Sequence, residues 1–253
     1  MKTLLTEEKN GVGWVFFNRP ERRNAVNFQM MEEMETTINR WQEESSIKVL
    51  VFTGDEQTFV SGGDLAEFHQ LRTEQEIYPV MFRMGQLLKS IRHFGKPTVA
   101  AVRGIALGGG CELAASCDFR VASERARFGF IQSRLGITTG WGGGSRLLEQ
   151  LPRSKALYLL LSGEHVDADQ LFQWGWIYQL FSEAHFLDSV QSFAESISQA
   201  PVEVLKAYMD IADHRKKEES NEALEARHCA QLWETEEHRR AVNEFFSRSS
   251  KTK

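Results

Sequence analysis

Pro97-Thr-Val-Ala-Ala-Val-Arg-Gly-Ile-Ala-Leu-Gly-Gly-Gly-Cys-Glu-Leu-Ala-Ala-Ser-Cys-Asp118 sets an apolar run, a triple glycine and a carboxylate in close succession. Residues 99–102 read as a buried strand. Gly108, Gly109 and Gly110 follow a short link, and Glu112 falls in the first turn of an alanine-rich helix. Three consecutive glycines cost backbone entropy, so they belong where the chain approaches something closely or turns unusually. Amide groups at a helix start lack intrahelical partners and favour an anion. The stretch therefore offers amide donors beside a carboxylate, the parts of an oxyanion site with an acid or base next to it. The same glycines also suit tight packing, and Glu112 also complements a helix dipole.

The 253 residues allow one large domain or two smaller ones. With 42% hydrophobic and 26% charged residues the chain has a sizeable core, and global disorder is not expected. A net charge of −5 argues against non-specific nucleic-acid binding. Cys111, Cys117 and Cys229 are too few for a disulfide framework and read as residues of a reducing compartment. The histidines form no pair with metal-ligand spacing, so no metal site is expected. No apolar run reaches the roughly 20 residues needed to span a bilayer, and the first residues hold no apolar signal core. The expectation is a cytoplasmic protein without membrane or nucleic-acid partners.

Outward from the opening stretch, strands and helices alternate. Residues 3–8 and 13–18 form a hairpin about Asn10-Gly11. Arg19 to Ala25 is a polar loop whose adjacent Arg22 and Arg23 suit phosphate groups, though an ordinary solvated loop has the same composition. Asn27 caps a helix over 28–44 with Met30, Met31, Met34, Ile38 and Trp41 on one face. A strand at 49–53 leads to a second glycine pair, Gly62-Gly63, and Asp64 is placed to cap the segment that follows. A polar stretch over 66–75 precedes a helix over 78–94, stopped by Gly95-Lys96-Pro97. Beyond the opening stretch come a strand at 118–122, an extended segment from 128, and the Gly-rich loop 138–144. This loop lacks the Lys-Ser/Thr of a P-loop and the spaced glycines of a dinucleotide fingerprint. Helices follow at 145–150, 155–162 and 168–174, the last started by Asp167, then a strand at 177–181. Helices at 186–199, 201–213, 222–234 and 236–247 complete the chain.

Several of these pieces, taken in order, resemble the crotonase superfamily, the enoyl-CoA hydratase/isomerase family. They are Asn18-Arg19-Pro20 with Asn24-Ala25, Phe59-Val60-Ser61-Gly62-Gly63-Asp64-Leu65, Lys96-Pro97 through Gly108-Gly109-Gly110-Cys111-Glu112-Leu113-Ala114, Cys117-Asp118, Phe128-Gly129, Leu135-Gly136, Gly142-Gly143 with Arg146-Leu147, and Leu161-Ser162-Gly163. The resemblance implies an α/β fold, the crotonase (ClpP/crotonase-like) spiral of ββα units, as a core domain over residues 1–195. A helical C-terminal region over 196–253 would then drive trimer or hexamer formation. It implies an acyl-CoA thioester as substrate and no cofactor beyond that coenzyme A. It also implies a thioester enolate held by two backbone amides, by position those of Gly63 and Gly109, each such donor being worth about 3 kcal/mol. Arg22 and Arg23 match the loop that contacts coenzyme A in relatives, and Gly63, Asp64, Leu65 and Ala66 match the segment along the thioester and pantetheine. Ala25, Ser61, Gly108, Thr139 and Trp141 complete the implied substrate-binding set. Phe246 matches a position that reaches a neighbouring subunit's ligand.

The sequence departs from the hydratase pattern at one point. Two glutamates serve hydratases of the family; the first aligns with Glu112, and Gln132 stands where the second belongs. An amide orients water or substrate but carries no proton at neutral pH. Gly136-Ile137 and Trp141-Gly142-Gly143 resemble the ethylmalonyl- and methylmalonyl-CoA decarboxylase branch. Glu112, Gly63, Gly109 and Gln132 are thus the expected catalytic set, and decarboxylation of a substituted malonyl-CoA the leading expectation. The alternatives are an enoyl-CoA hydratase with one carboxylate and a non-catalytic acyl-CoA-binding protein.

Overall fold

A computed structural model of the protein describes residues 1–214 except 69 and 72. The expected helices over 222–234 and 236–247, and Phe246, lie outside the described residues. The chain divides into two compact units, Met1–Ser198 and Gln199–Lys253.

Among its described residues the first unit holds ten strands in two sheets. β1 (Leu4–Lys9) and β2 (Val12–Phe17) form the antiparallel hairpin read from Asn10-Gly11, both of whose turn residues take positive φ. α1 (Phe28–Glu43) follows, and Asn27 Oδ1 accepts from Met30 N at its start. Met30, Met31, Met34, Ile38 and Trp41 are all buried on its inner face. From there a pattern repeats three times, placing one strand in the large sheet, the next in the small sheet, and a helix after them. β3 (Val49–Thr53) and β4 (Thr58–Val60) precede α2 (Leu65–Phe68) and α3 (Glu74–Arg92). β5 (Thr98–Val102) and β6 (Ile105–Leu107) precede α4 (Gly109–Ala114). β7 (Phe119–Ser123) and β8 (Arg127–Gly129) precede a 3-10 turn, Ile131–Leu135, then α5 (Gly143–Gln150) and α6 (Arg153–Ser162). β9 (Val166–Asp167), α7 (Ala168–Gln173), β10 (Gln179–Phe181) and α8 (Phe186–Ser198) close the unit. The sheet orders are β1-β2-β3-β5-β7-β10 and β4-β6-β8-β9. This is the expected crotonase-type α/β spiral of ββα units.

The large sheet is buried on both faces, which is why its central strands are apolar throughout. Val49, Val51, Val99, Ala101 and Val121 pack against Phe186, Val190 and Ala194 of α8. Leu50, Phe52, Ala100, Val102 and Ala122 face the other way, into a core shared with α1, α3 and the small sheet. Two motif residues prove to be fasteners. Lys96 Nζ donates to Trp41 O and Glu44 O at 2.8 and 2.6 Å, tying off the end of α1. Asp118 Oδ2 accepts from both Thr98 N and Thr98 Oγ1, fixing the start of β5.

Three expectations change. α3 starts at Glu74 rather than at 78, because Thr73 and Glu76 form a reciprocal capping box; Pro79 lies inside the helix near its start. The link between residue 102 and the triple glycine contains β6, a strand of the small sheet. The last strand begins at Gln179 rather than at 177, since Trp176 and Ile177 are spent in the core and in the turn that ends α7. In the second unit α9 (Val202–His214) carries Leu205 and Ala207 as buried residues.

Candidate active site

β4 and β6 are hydrogen-bonded parallel neighbours, with Val60 opposite Ala106. The chain therefore leaves them side by side, as Ser61-Gly62-Gly63 and as Leu107-Gly108-Gly109. Gly108 takes φ 52 and ψ −115, a combination open to glycine and closed to side chains. A Cβ on Gly62 would stand 3.5 Å from Gly109 N, so the two turns touch. Gly63 is further fixed from outside the sheet. Val26 N donates to Gly62 O and Asp64 N to Val26 O, each at 2.8 Å, a short parallel bridge that also joins Ser61 N to Arg23 O. Among the described residues neither Gly63 N nor Gly109 N has an acceptor.

Glu112 is 2% exposed, one turn into α4. Its carboxylate is caged by donors. Trp141 N and Gly143 N reach Oε2 at 2.9 and 2.8 Å, and Gln132 Nε2 reaches Oε1 at 2.9 Å. Burial pushes the Glu112 carboxyl above the usual carboxylate range, while the Gly143 and Trp141 amides and Gln132 pull it back. A Cβ at Gly143 would overlap Glu112 Cγ, so only glycine lets that amide approach. Arg146, itself buried, holds the loop by donating from Nη1 to Trp141 O at 2.8 Å. Gln132 is 7% exposed, and its Oε1 is buried without a hydrogen-bond partner among the described residues. Its amide carbon lies 3.9 Å from where a Gly108 Cβ would be. The amide thus spans from Glu112 to the glycine turn.

The remaining expected residues divide between two places. Arg23 and Ser61 line a cavity of about 550 Å³ together with Pro20, Thr58, Ile105 and Leu107, and with the carboxylates Asp55 and Glu56, running up to the turn that holds Gly108. Arg22 is exposed on the adjoining 3-10 turn, Pro20–Arg22. Ala25 is buried, and its carbonyl accepts from Arg19 Nη1 at 2.6 Å. Asp64 pairs with Arg19 at 2.9 Å and accepts from Ala66 N, so its carboxylate fastens the loop and caps α2. Leu65 and Ala66 are exposed at the start of α2. Thr139 Oγ1 accepts from Gly144 N at the start of α5, and Trp141 is buried at 4% exposure. Sequence reasoning passed over Gly143 and Arg146 as site residues. Their one signal was the Gly142-Gly143 with Arg146-Leu147 pair, read there only as pattern.

Cys111 and Cys117 are buried free thiols, each pushed up by burial, so neither is a nucleophile at neutral pH. Among the described residues there is no group of three or more His, Cys, Asp or Glu placed to hold a metal ion. No described helix is long and apolar enough to cross a membrane.

Comparison with known proteins follows the same lines. The family profile described as Enoyl-CoA hydratase/isomerase matches residues 7–251. The short-chain-enoyl-CoA hydratase of Clostridium acetobutylicum is 34% identical over 211 residues, covering 81% of this chain and 78% of that protein. The 2,3-dehydroadipyl-CoA hydratase of Escherichia coli is 33% identical over 222 residues, covering 84% and 85%. In structure, an enoyl-CoA hydratase from Bacillus anthracis superposes with a TM-score of 0.93 over 97% of this chain and 96% of that one, at 23% identity. That last likeness is one of fold.

Proposed function

The chain belongs to the enoyl-CoA hydratase/isomerase family and processes acyl-CoA thioesters, and from that premise we propose that it hydrates the double bond of a 2-enoyl-CoA. One observation carries this choice: Glu112, the buried carboxylate of the site, is held through Oε1 by Gln132 Nε2, an amide group within 4 Å of where a Gly108 Cβ would stand. Glu112 Oε1 accepts from Gln132 Nε2 and keeps a lone pair with which to accept a proton from a substrate water.

The chemistry then runs on one carboxylate. Glu112 takes a proton from the water as its oxygen bonds to C3. The C2–C3 π electrons move toward C1, and the thioester oxygen gains charge. Gly63 N and Gly109 N receive that charge with no reorganisation. Glu112 returns the proton to C2, the enolate collapses, and one water has been added. Gln132 orients Glu112 through Nε2 and carries no proton. A carboxyl lifted by burial is a stronger base toward water than an ordinary carboxylate, and once protonated it is the acid that faces C2. Arg23 and Ser61, lining the cavity that runs to Leu107, would hold the coenzyme A portion.

Decarboxylation of a substituted malonyl-CoA fits less well. It brings a substrate carboxylate up to Glu112, itself a carboxylate, and like charges repel. The names of the curated relatives support hydration too. Trimer or hexamer formation through the region from residue 196 remains part of the proposal and is read by sedimentation. The test of the reaction is direct. Crotonyl-CoA is expected to lose its enoyl absorbance with the protein, and Glu112→Gln to slow this by about 10²- to 10⁴-fold. Release of carbon dioxide from methylmalonyl- or ethylmalonyl-CoA without hydration of crotonyl-CoA would replace this reading with decarboxylation. Tight thioester binding with no turnover would leave a binding protein.

A further inference from the structure

Trp141 is positioned as no other side chain of the site is. Its backbone is held on both sides, the N–H by Glu112 and the carbonyl by Arg146. Its indole therefore has a fixed root. The ring rests on the backbone of Gly109 itself: a Cβ there would overlap Cζ3 and Cη2. It reaches Gly63 as well, where a Cβ would lie 3.4 Å from Cζ2 and 2.6 Å from Phe68 Cε2. Both rings are buried, at 4% and 5% exposure. One indole thus spans the two glycines assigned above to the thioester oxygen, while its own amide holds the carboxylate. Gly140, next in the loop, presses on Met81 of α3, where a Cβ would stand 2.8 Å from Sδ.

An acyl group whose carbonyl lies at Gly63 and Gly109, and whose C2 and C3 lie at Glu112, runs directly past this ring. We propose that Trp141, backed by Phe68, is the residue that sets acyl-chain length, closing the space beyond the reacting carbons so that the site takes short acyl-CoA thioesters and excludes long ones. The proposal rests on the acyl-CoA reading of the same site, though not on which reaction occurs there.

An open apolar pocket would show the opposite preference, since each buried methylene tightens binding roughly fourfold. An order that favours the short chain is therefore diagnostic. The test uses saturated thioesters, which bind without reacting. Calorimetry with butyryl-CoA and decanoyl-CoA should show the wild-type protein binding the short chain at least ~10-fold tighter, the scale at which a pocket wall rejects surplus methylenes. Trp141→Ala should reverse the order. Trp141→Leu, which keeps apolar bulk in the core if the alanine variant folds poorly, should bring the two affinities to within about threefold. A wild-type protein that binds decanoyl-CoA as tightly as butyryl-CoA overturns the proposal and leaves the hydratase reading standing. So does an unchanged short-chain preference in both folded variants. Absence of binding to either thioester overturns the acyl-CoA reading and this proposal with it.

Discussion

Ser61-Gly62-Gly63 and Leu107-Gly108-Gly109 reach the site as main chain running on from two paired parallel strands. Glu112, Gln132 and Trp141 reach it from a helix, a 3-10 turn and a loop that share no sheet. The first wall presents backbone N–H groups, whose direction is set by sheet register and by one glycine dihedral. The second presents side chains held by other side chains and by loop amides. The difference teaches where each property of the site resides. A backbone donor survives most substitutions, so on the proposed reading the oxyanion wall fixes the class of intermediate. The side-chain wall is open to substitution, as Gln132 shows, and it decides what is done with that intermediate.

The strongest way to break this contrast is to add one carbon to the backbone wall. Gly109→Ala places a Cβ into the Trp141 ring, so either the ring or the first turn of α4 must shift. A lost oxyanion donor costs about 10²- to 10³-fold in kcat, and a loss of that size is expected with crotonyl-CoA. Combined with Trp141→Ala, the Cβ has room again, and part of the rate should return. A double variant as inactive as Gly109→Ala alone would mean that overlap with the ring is not the cause.

Much of the backbone wall was legible in the chain, and little of the other. β3 and the Asn27-capped α1 were read almost to the residue because β-branched runs and a helical apolar stripe are local signals. The glycine pairs drew notice for the same reason: glycine marks the chain's own geometry. β6 escaped because three residues carry no period, and the start of α3 escaped because the polar stretch over 66–75 hid the Thr73–Glu76 cap. Around Glu112, two of the three donors are backbone amides, Trp141 N and Gly143 N, some thirty residues away. An amide is common to nearly every residue, so no side chain announces it. Arg146 escaped for a related reason, since it acts on the carbonyl of Trp141 rather than on substrate.

The carboxylate wall is sharpened by a variant that should lose activity and gain stability. Burial raises the Glu112 carboxyl in the folded state. Folding then binds a proton that the unfolded chain releases, so stability falls as pH rises from the ordinary carboxylate range through the raised folded value. Gln at this position does not titrate. Its carbonyl still accepts from Trp141 N and Gly143 N, and its NH2 gives Gln132 Oε1 a donor once the Gln132 amide turns. Melting temperatures of Glu112→Gln and wild type should therefore lie closest in acid and separate as pH rises, with the variant the more stable. A gap that narrows with rising pH would refute the account of Glu112 as a carboxyl lifted by burial.

The smallest effect is expected where neither wall is touched. Arg23 is exposed, and its side chain lines the cavity that leads to the glycine turns. It has φ 51, so Arg23→Gln is preferable to a change that alters bulk in a left-handed position. If Arg23 faces the phosphates of coenzyme A as proposed, loss of this exposed cation should raise KM by about two- to fivefold and leave kcat alone, the mark of binding energy shared by ground and transition states. The difference from wild type should fade at 1 M salt, where the screening length is about 3 Å. Arg23 also accepts from Ser61 N through its backbone carbonyl, on the strand that carries Gly63. That bond survives the substitution. A fall in kcat rather than a rise in KM would therefore show that the side chain itself tensions the Gly63 turn, and that the backbone wall depends on side chains after all.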